Sequence, residues 1–168
     1  ILSGQTLTLN GDVTNDSTIR LDDQSANAAN AAVLFLDDAS PGGAGAIIFS
    51  SPHQNRVTAD IGGATLTANQ TIRTDAIGDR GEIQAGLIVE GLIETDGGQI
   101  TLSSAAKTNN SVIRALNAGQ IQVNGLSIAN AGGTLDIDGT STLHLLNGTS
   151  IAGGMVEGGG AITQTGSI

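Results

Sequence analysis

The sequence has no cysteine, no tryptophan and no tyrosine, and its 168 residues include only two phenylalanines and two prolines. Without cysteine, the chain forms no disulfide and performs no thiol chemistry. Without bulky aromatic side chains, a wide and irregular globular core is difficult to fill. The apolar residues are mainly Ile, Leu, Val and Ala. This composition favours a narrow core built from similar stacked layers.

Basic residues are also scarce, since six Lys and Arg face sixteen Asp and Glu, for a net charge of −10. Nucleic acids and anionic membranes both attract clustered Lys and Arg, so neither is expected as a partner. No apolar run approaches the roughly 18 residues that a membrane-spanning helix requires. We therefore expect no membrane insertion. The acids are scattered along the chain, which is typical of a solvated surface.

Glycine, in contrast, is abundant, with 25 residues, and it recurs in pairs. Residues 91–102 (GLIETDGGQITL) and 125–137 (GLSIANAGGTLDI) look alike, because each starts with Gly-Leu, reaches Gly-Gly and ends in an alternating segment. The pairs Gly97-Gly98 and Gly132-Gly133 are 35 positions apart, and Gly153-Gly154 follows 21 positions later. Short strands with glycine corners, spaced by about twenty residues, predict a solenoid.

Polar and apolar residues alternate over short segments, which is the signature of β-strands, and no segment has a helical period. The alternation places Ile100, Leu102, Leu135 and Ile137 in the interior. Residues 106–111 are predicted to form a loop. Two short echoes appear further apart, since Thr65–Thr67 repeats Thr6–Thr8 and residues 71–75 (TIRTD) repeat residues 18–22 (TIRLD). We predict an all-β chain, with one domain over residues 1–168, less regular coils and loops at 22–56, and the most regular coils at 62–168.

The segments GLIETDGGQITLSS, GGTLDIDGTSTLHLLNGTSIAGG and GGGAITQTGSI resemble the coils of right-handed parallel β-helix proteins of bacterial surfaces. The similarity is to filamentous-haemagglutinin-like adhesins and autotransporter passenger domains, and it covers most of residues 62–168. It implies a right-handed parallel β-helix of about seven to nine coils, in an exported stalk or adhesin at the bacterial cell surface. Many such stalks have no catalytic residues, so the resemblance assigns none here.

The acids near the look-alike segments are the first candidates for chemistry. Asp136 and Asp138 are two positions apart and should point from one face of a strand, and Asp96 would lie near Asp136 if the look-alike coils stack on each other. The alternatives are solvated turn acids, a weak calcium site and catalysis. Calcium requires six to eight oxygen ligands, and the dense glycine-aspartate nonapeptide of calcium-binding β-rolls is absent from the sequence.

The histidines and threonines provide weaker candidates. His144 alternates with Leu143 and Leu145, which predicts the outer face of a strand, and His53 lies in a turn cluster. A triad would need Ser, His and Asp to converge, and the sequence has no G-x-S-x-G elbow. The Thr-x-Thr pairs resemble the threonine ladders of ice-binding solenoids, but those need the pair in every coil. We therefore expect no catalytic residue, no cofactor and no metal site.

Three functions remain open. The leading expectation is a non-enzymatic, extracellular structural or adhesive protein, with surface glycans as a further partner. The alternative is a glycan-binding or glycan-cleaving β-helix, such as a polysaccharide lyase or hydrolase, which would need a deep groove with Asp, Arg and perturbed carboxylates. A phage tailspike-like stalk would be a trimer with an apolar outer stripe.

The two ends of the sequence remain strand-like. Residues 1–9 and 161–168 alternate like the interior, with no polar segment to protect the open edges of a terminal coil. Two explanations are compatible with this pattern: the chain is an excerpt of a longer repeat protein, or subunits stack head to tail into a filament. Both predict that residues 1–9 and 161–168 pair with further β-structure.

Overall fold

The structure, a computed structural model, describes residues 1–25, 31–37, 39, 41–59 and 65–166, with the backbone alone for 65–68. Within these ranges the chain forms twenty short β-strands and no helix, and hence no helix long and apolar enough to cross a membrane. All the strand pairs are parallel and join equivalent segments of successive turns, for example Ile100 with Ile121. The predicted parallel β-solenoid is therefore confirmed.

The strands belong to three parallel sheets that form the faces of the solenoid. Sheet 1 contains, in stacking order, β1 (Thr6–Asn10), β3 (Ala32–Asp37), β5 (Asn55–Ala59), β8 (Arg80–Ile83), β11 (Gln99–Ser103), β14 (Gln120–Asn124), β17 (Thr142–Leu146) and β20 (Ala161–Thr165). Sheet 2 contains β2 (Thr18–Leu21), β4 (Ala46–Phe49), β7 (Thr71–Thr74), β10 (Leu92–Asp96), β13 (Val112–Leu116), β16 (Thr134–Ile137) and β19 (Met155–Glu157). Sheet 3 contains β6 (Thr65–Ala68), β9 (Gly86–Val89), β12 (Lys107–Asn109), β15 (Ser127–Ala129) and β18 (Ser150–Ala152).

The solenoid has about six turns, slightly fewer than the seven to nine that were predicted. The prediction assumed about twenty residues for every turn, and this holds only for part of the chain. Along sheet 1, Thr6 pairs with Val33, 27 positions later, whereas Glu82 pairs with Thr101, 19 positions later. The long first turns use more residues per layer, so the chain completes fewer layers.

The core is a set of aliphatic ladders, because alternate residues of every strand point inward and stack on their equivalents one turn away. Ile100, Leu102, Leu135 and Ile137, which the sequence placed in the interior, are all buried. The exception to the aliphatic rule is Phe49 of β4, whose ring extends over Gly81 of β8 in the facing sheet. A methyl group at Gly81 would overlap that ring.

Side-chain amides line the corner that precedes sheet 2. Asn109 Nδ2 donates to Asn130 Oδ1 (2.7 Å) one turn away, and Asn130 Nδ2 donates in turn to the carbonyls of Gly153 and Met155 (both 3.3 Å). In the first turns, Asn15 Nδ2 donates to Gln70 Oε1 (2.7 Å). These buried amides give the corner carbonyls donors that the sheets do not supply.

The look-alike segments do not occupy equivalent places in the solenoid, which corrects the register inferred from them. Gly97-Gly98 forms the corner between sheets 2 and 1, whereas Gly132-Gly133 and Gly153-Gly154 form the corner between sheets 3 and 2. The true turn in this part of the chain is the 21-residue interval, because Thr134 pairs with Met155. A Gly-Gly pair therefore marks a tight corner without specifying which corner it is.

The long-range echoes also divide into one equivalent and one unrelated pair. The segment at 18–22 lies in β2 and that at 71–75 in β7, both in sheet 2 and two turns apart, with Thr18 next to Ala46 and Ala46 next to Thr71. Thr6–Thr8 lies in sheet 1 and Thr65–Thr67 in sheet 3, so the two Thr-x-Thr pairs share no face.

Candidate functional site

The predicted acidic cluster is not assembled. Asp96 ends β10 and Asp136 lies in β16, and β13 is stacked between these strands. Asp96 Oδ1 instead accepts from Asn117 Nδ2 (2.7 Å), while the Asn117 backbone amide donates to Asp138 Oδ2 (2.7 Å). Asp138 Oδ1 also accepts from the amide and hydroxyl of Thr140 (2.9 and 2.8 Å). These carboxylates therefore hold corner backbone in place.

Neither histidine is part of a group that resembles a catalytic site. His144 lies on the outer side of β17, as predicted, and its Nδ1 is 2.6 Å from Thr163 Oγ1 one turn away. His53 lies in the bend before β5, with its backbone amide bonded to Ser51 Oγ (3.0 Å). Among the described residues, no group of three or more His, Cys, Asp or Glu is arranged to hold a metal ion.

The outer face of sheet 2 carries charges that neutralise one another. Arg73, Glu94, Arg114 and Asp136 follow one another in register on successive strands. Arg114 Nε donates to Glu94 Oε2 (2.5 Å), and Arg73 Nη1 lies 3.3 Å from Asp75 Oδ1. Each of these pairs satisfies its partner along the face.

Asp75 and Asp79 show how that corner of the molecule tunes its carboxyl groups. A hydrogen bond from Arg20 is the main cause that lowers the pKa of Asp75, with further contributions from Ser50 and Arg73 that outweigh the effect of burial. Burial raises the pKa of Asp79, although the Ala76 amide donates to its Oδ2 (2.8 Å). Both groups are engaged by their own turn, so this corner does not present an open carboxylate site.

Lys107 is a functional group that the sequence did not reveal. Residues 106–111 were predicted to form a loop, but Lys107 begins β12, stacks between Leu87 and Ile128 in an inward ladder and is 2% exposed. Its Nζ donates to the carbonyls of Ala85 (2.9 Å), Ser103 (2.8 Å) and Ala105 (2.5 Å). Burial lowers its pKa to about 8. The ammonium acts as an internal bracket for the corner between sheets 1 and 3.

The outer face of sheet 1 carries a polar groove of about 230 Å³, lined by Gln54, Arg80, Gly81, Glu82, Gln99, Thr101, Gln122 and Asn124. Two rows of side chains cross it: Arg80, Gln99 and Gln120 pair on successive turns, and so do Glu82, Thr101 and Gln122. A smaller cleft of about 120 Å³ adjoins it at the glycine corner and shares Arg80 and Gln99. The groove is thus a polar strip at right angles to the strands.

Some groups of the groove are engaged and others are free. Glu82 accepts from Ser103 Oγ (2.7 Å) and lies 3.6 Å from Arg56 Nε, and Gln99 Nε2 donates to Thr101 Oγ1 (3.2 Å). The side chains of Arg80 and Gln122 bond to no other described residue, and every other Arg or Lys of the chain has an ion pair or a hydrogen bond there. Sequence could not identify Arg80, because its partners are set by the register between turns.

No family model, no curated protein and no solved structure matches this chain.

Proposed function

We propose that this chain is a non-enzymatic, extracellular structural or adhesive β-solenoid of a bacterial cell surface, part of a long fibre that is assembled or extended end to end. The observation that carries the proposal is the distribution of exposed apolar side chains. Five of the six large ones among the described residues lie on the first and last turns, and Ile77 is the sixth. They are Leu2, Leu7, Met155, Val156 and Ile162.

The last turn continues the core ladders of the turn before it. Ile162 stacks on Leu143, yet Ile162 is 55% exposed while Leu143 is fully buried. Likewise Val156 stacks on Leu135 and is 42% exposed against 1%. Both residues stand where the next turn of a solenoid would cover them. Covering such side chains is favourable by about 25 cal/mol for each Å² of apolar surface removed from water.

The open strands match each other in register and in charge. β1 and β20 each pair with one strand, so one edge of each has unpaired backbone groups. If a second set of turns continued sheet 1 by placing Leu7 on Ile162, the same stacking in sheet 2 would place Ile19 on Val156 and Arg20 next to Glu157. The acidic end of the sheet 2 row, Asp136 and Glu157, would then meet a base.

The side walls of the solenoid favour this function over the enzymatic and trimeric alternatives. The polar groove contains one carboxylate, Glu82, which Ser103 and Arg56 already engage, whereas glycan-cleaving enzymes use a pair of carboxylates. A trimeric stalk needs an apolar outer stripe. Between the two outer turns, Ile77 alone among the described side chains is large, apolar and exposed.

Sedimentation velocity of this chain over a wide concentration range tests the end-to-end contact. We expect oligomers that grow with concentration, and we expect Ile162→Asp to prevent their growth because it places a charge in the contact. Thr163→Asp is the matched control, since it adds the same charge to the same strand on the outer side, next to His144. A stable monomer at high concentration, with both terminal strands ordered, contradicts the end-to-end contact.

A further inference from the structure

The two main faces of the solenoid differ in how far their polar groups are already satisfied. On sheet 2 the charged side chains neutralise one another, as in the pair Arg114 and Glu94. On sheet 1 the guanidinium of Arg80 and the amide of Gln122 make no side-chain contact with another described residue and face the same groove. The groove therefore offers uncommitted donors and acceptors, which the opposite face does not.

Arg80 is the strongest recognition element of the groove. It is exposed, and it lies between the polar groove and the glycine cleft, so that its guanidinium borders both depressions. A free guanidinium presents a planar fork of N–H donors that matches the two oxygens of a carboxylate. The net charge of −10 opposes polyanions in general, so an anionic ligand must be recognised at this one position.

The rest of the groove suits hydroxyl groups. Gln99, Thr101 and Gln122 supply amide and hydroxyl groups that both donate and accept, as sugar hydroxyls do. They recur at the stacking interval of the turns, about 4.8 Å. A chain of linked sugars presents its hydroxyls repeatedly along its length, so it can follow the row from Arg80 to Gln122 across three strands.

We propose that the polar groove binds an oligosaccharide that bears a carboxylate, with Arg80 holding the carboxylate and Gln99, Thr101 and Gln122 bonding the hydroxyls. The inference rests on the adhesive role proposed above and assigns that role to the outer face of sheet 1. The groove has no aromatic platform, so the affinity comes from exposed hydrogen bonds and is weak, about millimolar.

The test uses a tetrasaccharide of alternating glucuronate and N-acetylglucosamine, titrated into the isotope-labelled protein and followed by backbone amide resonances. We expect shifts confined to residues around Gln99, Thr101 and Gln122. The methyl ester of the same tetrasaccharide, which has no carboxylate charge, is expected to bind at least about tenfold more weakly, because hydrogen bonds to charged groups are the strong ones.

Variants separate Arg80 from the general charge of the protein. Arg80→Gln should raise Kd by at least about tenfold, and Arg80→Lys should have an intermediate effect because it keeps the charge and loses the fork. Arg73→Gln is the matched control, since it changes the net charge by the same amount on sheet 2, where Arg73 pairs with Asp75. It should leave Kd unchanged, and resonances away from the groove report that each variant is folded.

Three results would overturn the inference: no resonance shifts at the highest soluble tetrasaccharide concentration, equal binding of the ester, or equal binding by Arg80→Gln. A chain that forms fibres without binding the tetrasaccharide overturns the ligand assignment alone. A chain that binds it and remains a monomer overturns the end-to-end contact alone.

Discussion

The first and the later turns of this solenoid use the same sheets but fill them differently. From β1 to β8, each turn of sheet 1 takes 23 to 27 residues, whereas from β8 to β20 it takes 19 to 22. The early turns include the one aromatic side chain of the core, Phe49, and the later turns include the one buried lysine, Lys107. A regular stack thus accommodates a wide layer with a ring and a narrow layer with an ammonium.

Each device depends on a partner that compensates for it. Phe49 fits because the facing position, Gly81, has no side chain. Lys107 fits because three corner carbonyls converge on its Nζ. The comparison indicates that layers of unequal width can share a core when the irregular side chain is matched within its own turn or the next one. It also predicts where the stack is most sensitive to substitution.

The largest effect is expected for the later turns, from Lys107→Met. The substitution keeps the apolar stem but leaves three carbonyl groups without their donor, which should lower the free energy of unfolding by about 3 kcal/mol. Urea-induced unfolding, followed by circular dichroism, measures the change. Arg114→Met, which removes a base from the outer face of the neighbouring strand, should cost less than about 1 kcal/mol. Equal costs for the two variants would contradict the internal role of Lys107.

The pH dependence of stability tests the same residue without a substitution. The folded-state pKa of Lys107 is lowered to about 8 from 10.5. Between these values the unfolded chain binds more protons than the folded one, so stability should rise as the pH increases from 8 to 10.5, by about 2 kcal/mol.

The chain is well suited to that measurement, because it has a single lysine and neither cysteine nor tyrosine. Lys107 is therefore the only side chain expected to titrate in this range, besides the terminal amine. The Lys107→Met variant should show a flat profile between pH 8.5 and 10.5, while the unsubstituted chain should show the rise. A falling profile for the unsubstituted chain would show that hydrogen bonding to the carbonyls outweighs burial.

The early turns are tested by Gly81→Ala, which places a methyl group against the ring of Phe49. Overpacking of this kind should cost about 2 kcal/mol. Gly139→Ala is the control from the later turns, because a methyl group there meets nothing within 4 Å, and its cost should stay within about 0.5 kcal/mol. In a Phe49→Leu background, the cost of Gly81→Ala should fall, since the smaller side chain removes the overlap. Independent, additive costs would separate the two residues.

The smallest effect is expected on the outer face of sheet 2, from Arg114→Gln. Its ion pair with Glu94 is partly exposed, so the loss should be about 0.5 kcal/mol and should shrink further in high salt. Thermal unfolding at low and high ionic strength measures it. A loss above about 2 kcal/mol would mean that the charged row stabilises the layers rather than merely keeping the face polar.

Much of the architecture could be predicted from the sequence, because alternation and glycine spacing are local signals. Ile100 and Leu102 are interior residues that any period of two would place correctly. The register between turns was less accessible: Gly97-Gly98 and Gly132-Gly133 look alike, yet they form different corners. Turn length failed for the same reason, since nothing local distinguishes a 27-residue layer from a 19-residue layer.

The chemical features could not be predicted, because they arise between turns. Lys107 lies in a polar segment (AKTNN) that favours a loop, and its burial depends on carbonyls from residues 85, 103 and 105. Asp96 and Asp136 were expected to approach each other only because their segments look alike. Arg80 became a candidate because it is free while the other bases are engaged, a property of the whole stack.

Electron microscopy of the native protein tests the central proposal most directly. The account predicts long, thin fibres of uniform width with an axial repeat of about 4.8 Å, the spacing of parallel strands in stacked turns. In such fibres the apolar side chains of the outer turns, including Leu7 and Ile162, are covered by further β-structure. Discrete particles with the dimensions of about six turns, in which loops of the same particle cover both terminal strands, would contradict it.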